Sequence, residues 1–69
     1  MQSLGMRLRQ DREKQRVSLA NIADATLIKT SYLEAIEADD LAALPGQYFY
    51  RAFVRQYATH LGWSPAAID

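Results

Sequence analysis

The stretch Tyr48-Phe49-Tyr50-Arg51-Ala52-Phe53-Val54-Arg55-Gln56-Tyr57 places five aromatic rings and two arginines within ten positions. Residues of these types do the chemistry of recognition: flat apolar surface beside a permanent cation is what interface hot spots are enriched in. Catalytic chemistry has no comparable foothold. The sequence suggests no nucleophile–base pair, no two carboxylates on one inward face and no glycine-rich phosphate loop. Cysteine is absent and the single histidine, His60, has no second ligand residue beside it, so it reads as solvated or lightly hydrogen-bonded. The expectation is a protein that is not an enzyme and that holds neither metal nor cofactor.

At about 100° per residue, Tyr50, Val54, Tyr57, Ala58 and Leu61 share one arc, the natural core face of a helix. Phe49 and Phe53 fall on the edge of that arc, in a strip that continues through Gln56 and His60. Arg51, Arg55 and Thr59 lie on the opposite side. The core arc is filled without the two phenylalanines. They either cover the first helix or the loop at 41–44, or they meet a partner; the spacing leaves both readings open.

A chain of 69 residues is one domain, able to bury about 60% of the surface its unfolded form exposes. With 49% hydrophobic and 10% aromatic residues it is globular in composition. Its apolar runs are too short to span a bilayer, and no signal-peptide core stands at the N-terminus. Eight acids balance eight bases. They are unevenly placed: Arg7, Arg9, Arg12, Lys14 and Arg16 near the start, Glu34, Glu37, Asp39 and Asp40 in the middle, Arg51 and Arg55 without an acid later.

The elements that must position these residues are all helical in period. Ser3 caps a first helix to about Lys14, with Leu4 and Leu8 inward, and Ser18 caps a second ending near Thr26. Leu27-Ile28-Lys29 makes a tight turn. A third helix runs from about Thr30 to Asp39 and Asp40, with Leu33 and Ile36 inward; acids at its C-terminus oppose the macrodipole, so that end is expected to be loosely held. Leu41 and Leu44 anchor a loop that closes on the breaker pair Pro45-Gly46. The aromatic helix occupies about 47–61 and stops at Gly62; Ser64-Pro65 opens a fifth helix that the chain leaves after one turn, at Asp69. The expected fold is all-α, a compact five-helix bundle in one domain over 1–69, cut from a longer protein.

Residues 18–39 have the pattern of a helix-turn-helix, with Ala20, Ala23, Ala25 and Ala35 as candidates for the close crossing. In a DNA-binding version, Lys29, Thr30 and Ser31 at the start of the third helix reach phosphate or base edges, aided by Arg9 from the first. Arg, Asn and Gln are missing from that helix, and Glu34 with the later acids repels a backbone. DNA binding is thus an alternative that the charge distribution serves poorly.

The runs Leu8-Arg9-Gln10-Asp11-Arg12-Glu13, Val17-Ser18-Leu19, Thr30-Ser31-Tyr32-Leu33-Glu34-Ala35-Ile36-Glu37, Leu44-Pro45-Gly46 and Tyr50-Arg51-Ala52-Phe53-Val54-Arg55-Gln56-Tyr57-Ala58, closing on Leu61-Gly62, together resemble the N-terminal cytoplasmic domain of RodZ-like proteins. The first three helices are also similar to the broader Xre/Cro-type helix-turn-helix. The RodZ resemblance implies an adaptor in bacterial cell-shape control that binds the actin-like filament protein MreB. It places the domain at the cytoplasmic face of the inner membrane, with the membrane reached only through a segment beyond residue 69. It further implies that Phe49, Phe53 and Tyr32 carry the contact and that Arg51 and Arg55 steer the encounter; the wider helix-turn-helix resemblance implies that Arg12 pairs with Glu37 as a structural tie. Two positions depart from the pattern. Asp11 stands where a small residue is usual and needs a local partner; Arg16 replaces a glycine at the end of the first helix, where a left-handed cap is costlier for it.

Overall fold

The computed structural model describes residues 2–68, and all regular structure in them is helical. Ser3 opens α1 (Leu4–Lys14) by accepting the Met6 N–H at 3.2 Å, and Ser18 opens α2 (Leu19–Thr26) by accepting the Asn21 N–H at 3.0 Å. After the turn at Leu27-Ile28-Lys29 come α3 (Thr30–Glu37), a 3-10 turn at Leu41–Ala43, and α4 (Gln47–His60). The described residues thus form four helices of eight or more residues, not the five expected. Pro65–Ile68 is a single turn, too short to present an apolar stripe of its own. Asp69, where the fifth helix was expected to be cut, lies outside the described residues.

Three of the four helices end in the same hydrogen-bonded cap, in which the third residue past the helix donates back across the last turn. Val17 N–H reaches Arg12 O, Asp40 N–H reaches Ala35 O, and Trp63 N–H reaches Ala58 O. The motif needs a left-handed residue one step earlier. Only Gly62 (φ 88°) is a glycine; Arg16 (φ 59°) and Asp39 (φ 58°) adopt the same conformation with side chains attached. Leu27 (φ 61°) does so at the end of α2, which turns the chain sharply into α3.

The core is built from Leu8 of α1, Ile22 of α2, Leu33, Ala35 and Ile36 of α3, and Val54, Tyr57 and Ala58 of α4, closed by Ile28, Leu44 and Leu61. Several expectations change here. Leu41 is 55% exposed, so Leu44 alone anchors the loop. Of the small residues offered for the helix crossing, Ala35 is buried and Ala23 half-buried, while Ala20 and Ala25 point to solvent. Tyr50, assigned to the core arc, is only half-buried.

The end of α3 is also held more firmly than its acids suggested. The N-terminus of α1 lies against it so closely that a Cβ on Gly5 would stand 2.1 Å from the Ile36 carbonyl oxygen. Ser3 Oγ donates to Asp39 at 2.5 Å. The carboxylate opposes the dipole of its own helix but sits at the positive end of α1, which favours it.

Candidate functional site

The rings that the sequence singled out converge on one strip across α3 and α4. Phe53, half-buried against the core, stacks on Tyr32 of α3 with centroids 5.8 Å apart and planes 15° from parallel. Phe49, one turn earlier on α4, tilts 32° against Phe53 at 5.5 Å. Its ring stays 47% exposed. Lys29 extends the strip by placing Nζ 5.8 Å from the Tyr32 centroid. The question the wheel left open therefore has a divided answer: Phe53 seals the α3–α4 seam, and Phe49 faces solvent.

Arg51 and Arg55 are exposed on α4. Each follows a phenylalanine by two residues, about 200° around the helix, and so projects from the far side of α4. Arg55 lines a shallow groove of about 420 Å³ between α2 and α4, with Ala25, Thr26, Gln56, Thr59 and His60. His60 Nε2 lies 3.0 Å from Asn21 Oδ1, which gives the lone histidine a hydrogen-bond partner.

A polar network fixes the register of α1, α3 and α4. Arg12 grips Glu37 with two nitrogens, Nε at 2.7 Å from Oε2 and Nη2 at 3.3 Å from Oε1, while Nη1 donates to the Val17 carbonyl at 3.0 Å. Tyr57 donates its hydroxyl to the same Oε2. The Glu37 hydrogen bond raises the Arg12 pKa, so the guanidinium stays charged although burial acts the other way. Burial first, then the Glu37 hydrogen bond and charge, push the Tyr57 phenol well above its ordinary range. Burial and the charge of Asp39 raise Tyr50 in the same direction.

The residues of the DNA alternative divide as well. Lys29, Thr30 and Ser31 are exposed at the start of α3, where a groove-entering helix presents its reading residues. Arg9 sits on α1, with Nε 3.7 Å from Glu13. Asp11, the anomalous acid, accepts from Trp63 Nε1 at 2.7 Å and from Gln15 Nε2 at 3.0 Å, and Gln15 also donates to the Leu61 carbonyl at 2.9 Å. Asp11 thereby ties the segment that follows α4 back to α1. Trp63 escaped the sequence reading, and Tyr48, counted among the five rings but given no role, is 85% exposed in the first turn of α4. Among the described residues no group of three or more His, Cys, Asp or Glu side chains clusters as a metal site, and no helix is long and apolar enough to cross a membrane.

Comparison with known proteins places this geometry in context. A family model described as a helix-turn-helix domain matches residues 7–68. The chain is 39% identical over 56 residues to the cytoskeleton protein RodZ of Streptococcus pneumoniae, covering 81% of this chain and 20% of that protein. It is also 39% identical over 46 residues to the uncharacterized membrane protein YmfM of Bacillus subtilis, covering 67% of this chain and 16% of that protein. The chain thus spans a fifth or less of the length of these relatives. No solved structure matches it significantly.

Proposed function

Because the chain belongs to the RodZ-like helix-turn-helix domain family, we propose that it is a non-enzymatic adaptor that docks on an MreB-type actin-like filament and links it to the membrane. The observation that carries this reading is the Tyr32–Phe53–Phe49 strip, with two rings stacked into the seam and the third left in solvent. Stacked rings are rigid before a partner arrives, so little side-chain entropy is lost on docking. Phe49 is the anchor, Phe53 and Tyr32 its platform, and Lys29 a cation at the edge. Arg51 and Arg55, on the far side of α4, act at longer range by steering the encounter with an acidic filament surface. The membrane link runs through parts of the longer protein beyond this domain.

The reading is tested by co-sedimentation of Phe49→Ala with polymerised MreB. Loss of binding by a variant that keeps parental helicity and stability supports it; undiminished binding sinks it.

The exposed Lys29, Thr30 and Ser31 at the head of α3 favour a second reading, a DNA-binding regulator. It requires salt-sensitive binding to duplex DNA that weakens when Lys29 or Thr30 is replaced. A net charge of zero and the exposed Glu34 one turn along α3 count against it.

A further inference from the structure

At the other end of α4 from Phe49, about 20 Å away along the helix, lies a surface of different chemistry. Trp63 is packed against α1 there, its Nε1 committed to Asp11 and its ring 5.3 Å from the Arg7 guanidinium carbon. Arg7, Gln10, Asp11, Lys14 and Trp63 frame a shallow groove of about 270 Å³. Arg16, exposed at the cap of α1, adds a further base at that end of the helix, whereas Arg9, two residues and about 200° on from Arg7, lines a separate groove with Met6, Gln10, Glu13 and Glu37. Arg12, the remaining base of this segment, is turned inward to Glu37. In the Trp63 groove Arg7 and Lys14 meet one acid, Asp11, and it is engaged by Trp63 and Gln15.

The geometry points to this face, centred on Arg7, Lys14 and Trp63, as a contact for an anionic lipid surface. An indole ring with its amphipathic edge at headgroup depth, ringed by guanidinium and ammonium groups, matches the boundary between phosphate and acyl chain. A duplex is the poorer occupant. Its cations would have to flank the start of α3, whereas α1 packs on the end of α3, through Gly5 at Ile36 and Arg12 at Glu37. With so few bases the contact is too weak to recruit the domain from solution at physiological ionic strength and becomes measurable on the free chain only at low salt, where screening is reduced. It sets the orientation of a domain already held near the bilayer, leaving the Phe49 end of α4 free to meet a partner. The inference does not depend on what that partner is.

Trp63 is the only tryptophan, so its fluorescence reads the contact directly. The 69-residue chain is titrated at low salt with vesicles of phosphatidylglycerol and phosphatidylcholine, alongside sedimentation of the same mixtures. A blue shift of Trp63 emission, quenching by brominated acyl chains and reversal by added salt are expected, with no response to phosphatidylcholine alone. Replacing both Arg7→Gln and Lys14→Gln weakens partition roughly thirtyfold. Phe49→Ala partitions like the parent, which separates this surface from the filament reading. The proposal is overturned by silence of Trp63 on anionic vesicles, by undiminished sedimentation of the Arg7→Gln/Lys14→Gln variant, or by a short DNA duplex that shifts Trp63 at lower concentration than the vesicles do.

Discussion

The Tyr57 hydroxyl donates to the same Glu37 carboxylate oxygen that Arg12 Nε holds at 2.7 Å, so one acid fastens three helices. Both Arg12 and Glu37 are largely shielded from water. Removing one member of such a pair strands the other, which typically costs about 3 kcal/mol. Arg12→Ala and Glu37→Ala should each lower the urea midpoint by that order. The double variant Arg12→Met/Glu37→Leu should lose less than either, because no charge is then left unpartnered. Equal or greater loss in the double variant would show that the network is worth more than its desolvation cost.

The same network sets an alkaline limit. Tyr57 titrates above the ordinary phenol value of about 10 because it is buried and bonded to Glu37, and Tyr50 is raised by burial and Asp39. Below about pH 10 both folded and unfolded chains hold these protons, and the stabilisation is complete. Above it the unfolded chain releases them first, so stability falls as pH rises toward the folded values. Thermal melts should be flat with respect to these groups up to about pH 10 and decline beyond it. Tyr57→Phe, though less stable at neutral pH, should show a shallower alkaline decline.

Gly5 is required by proximity, not by its backbone angles. A methyl there would press on the Ile36 carbonyl from 2.1 Å and on Asp39 Oδ1 from 2.8 Å. Backbone cannot yield as a side chain does, so α1 must lift from the end of α3. Gly5→Ala should cost about 2 kcal/mol by urea denaturation, although alanine is the better helix former.

The left-handed caps predict the opposite sign. Leu27 holds φ 61° with its side chain 91% exposed, and Arg16 holds φ 59° in solvent. Leu27→Gly and Arg16→Gly each remove about 1 kcal/mol of backbone strain, partly offset by the greater freedom of glycine when unfolded. Each should raise the melting temperature slightly. A drop at Leu27 would reveal a packing role that its exposure does not suggest.

Phe49 and Phe53 should part company in stability. Phe53→Ala opens the seam against Tyr32 and the core and should cost about 2 kcal/mol. Phe49→Ala removes a ring that is already half in water and should cost less than about 1 kcal/mol. Guanidinium melts of the two single variants check this, and they identify Phe49→Ala as the cleaner variant for binding measurements.

Where the helices begin and stop was legible from neighbouring residues alone. Ser3 and Ser18 cap the helices they precede, and Gly62 stops α4, because these signals act within one turn of chain. The buried side of α4 was legible too, since Val54, Tyr57, Ala58 and Leu61 follow from helical period. The separation of Arg51 and Arg55 from the phenylalanines is a property of the same period. The resemblance pointed to the pairing of Arg12 with Glu37 and to Tyr32 as a companion of the two phenylalanines.

Tertiary structure decided what depends on residues far apart in the chain. Phe53 turned inward and Phe49 outward because Tyr32, some 20 residues earlier, offers a ring to only one of them. Asp11 found its partner 52 positions away in Trp63, and the acids ending α3 were steadied by the N-terminus of α1. Leu41, Ala20 and Ala25 were left in solvent because packing used Leu44 and Ala35 instead. Local sequence determines which residues can be helical and which side of each helix is apolar. How an edge residue is shared between core and surface depends on which neighbouring helix arrives beside it, and only the assembled bundle contains that neighbour.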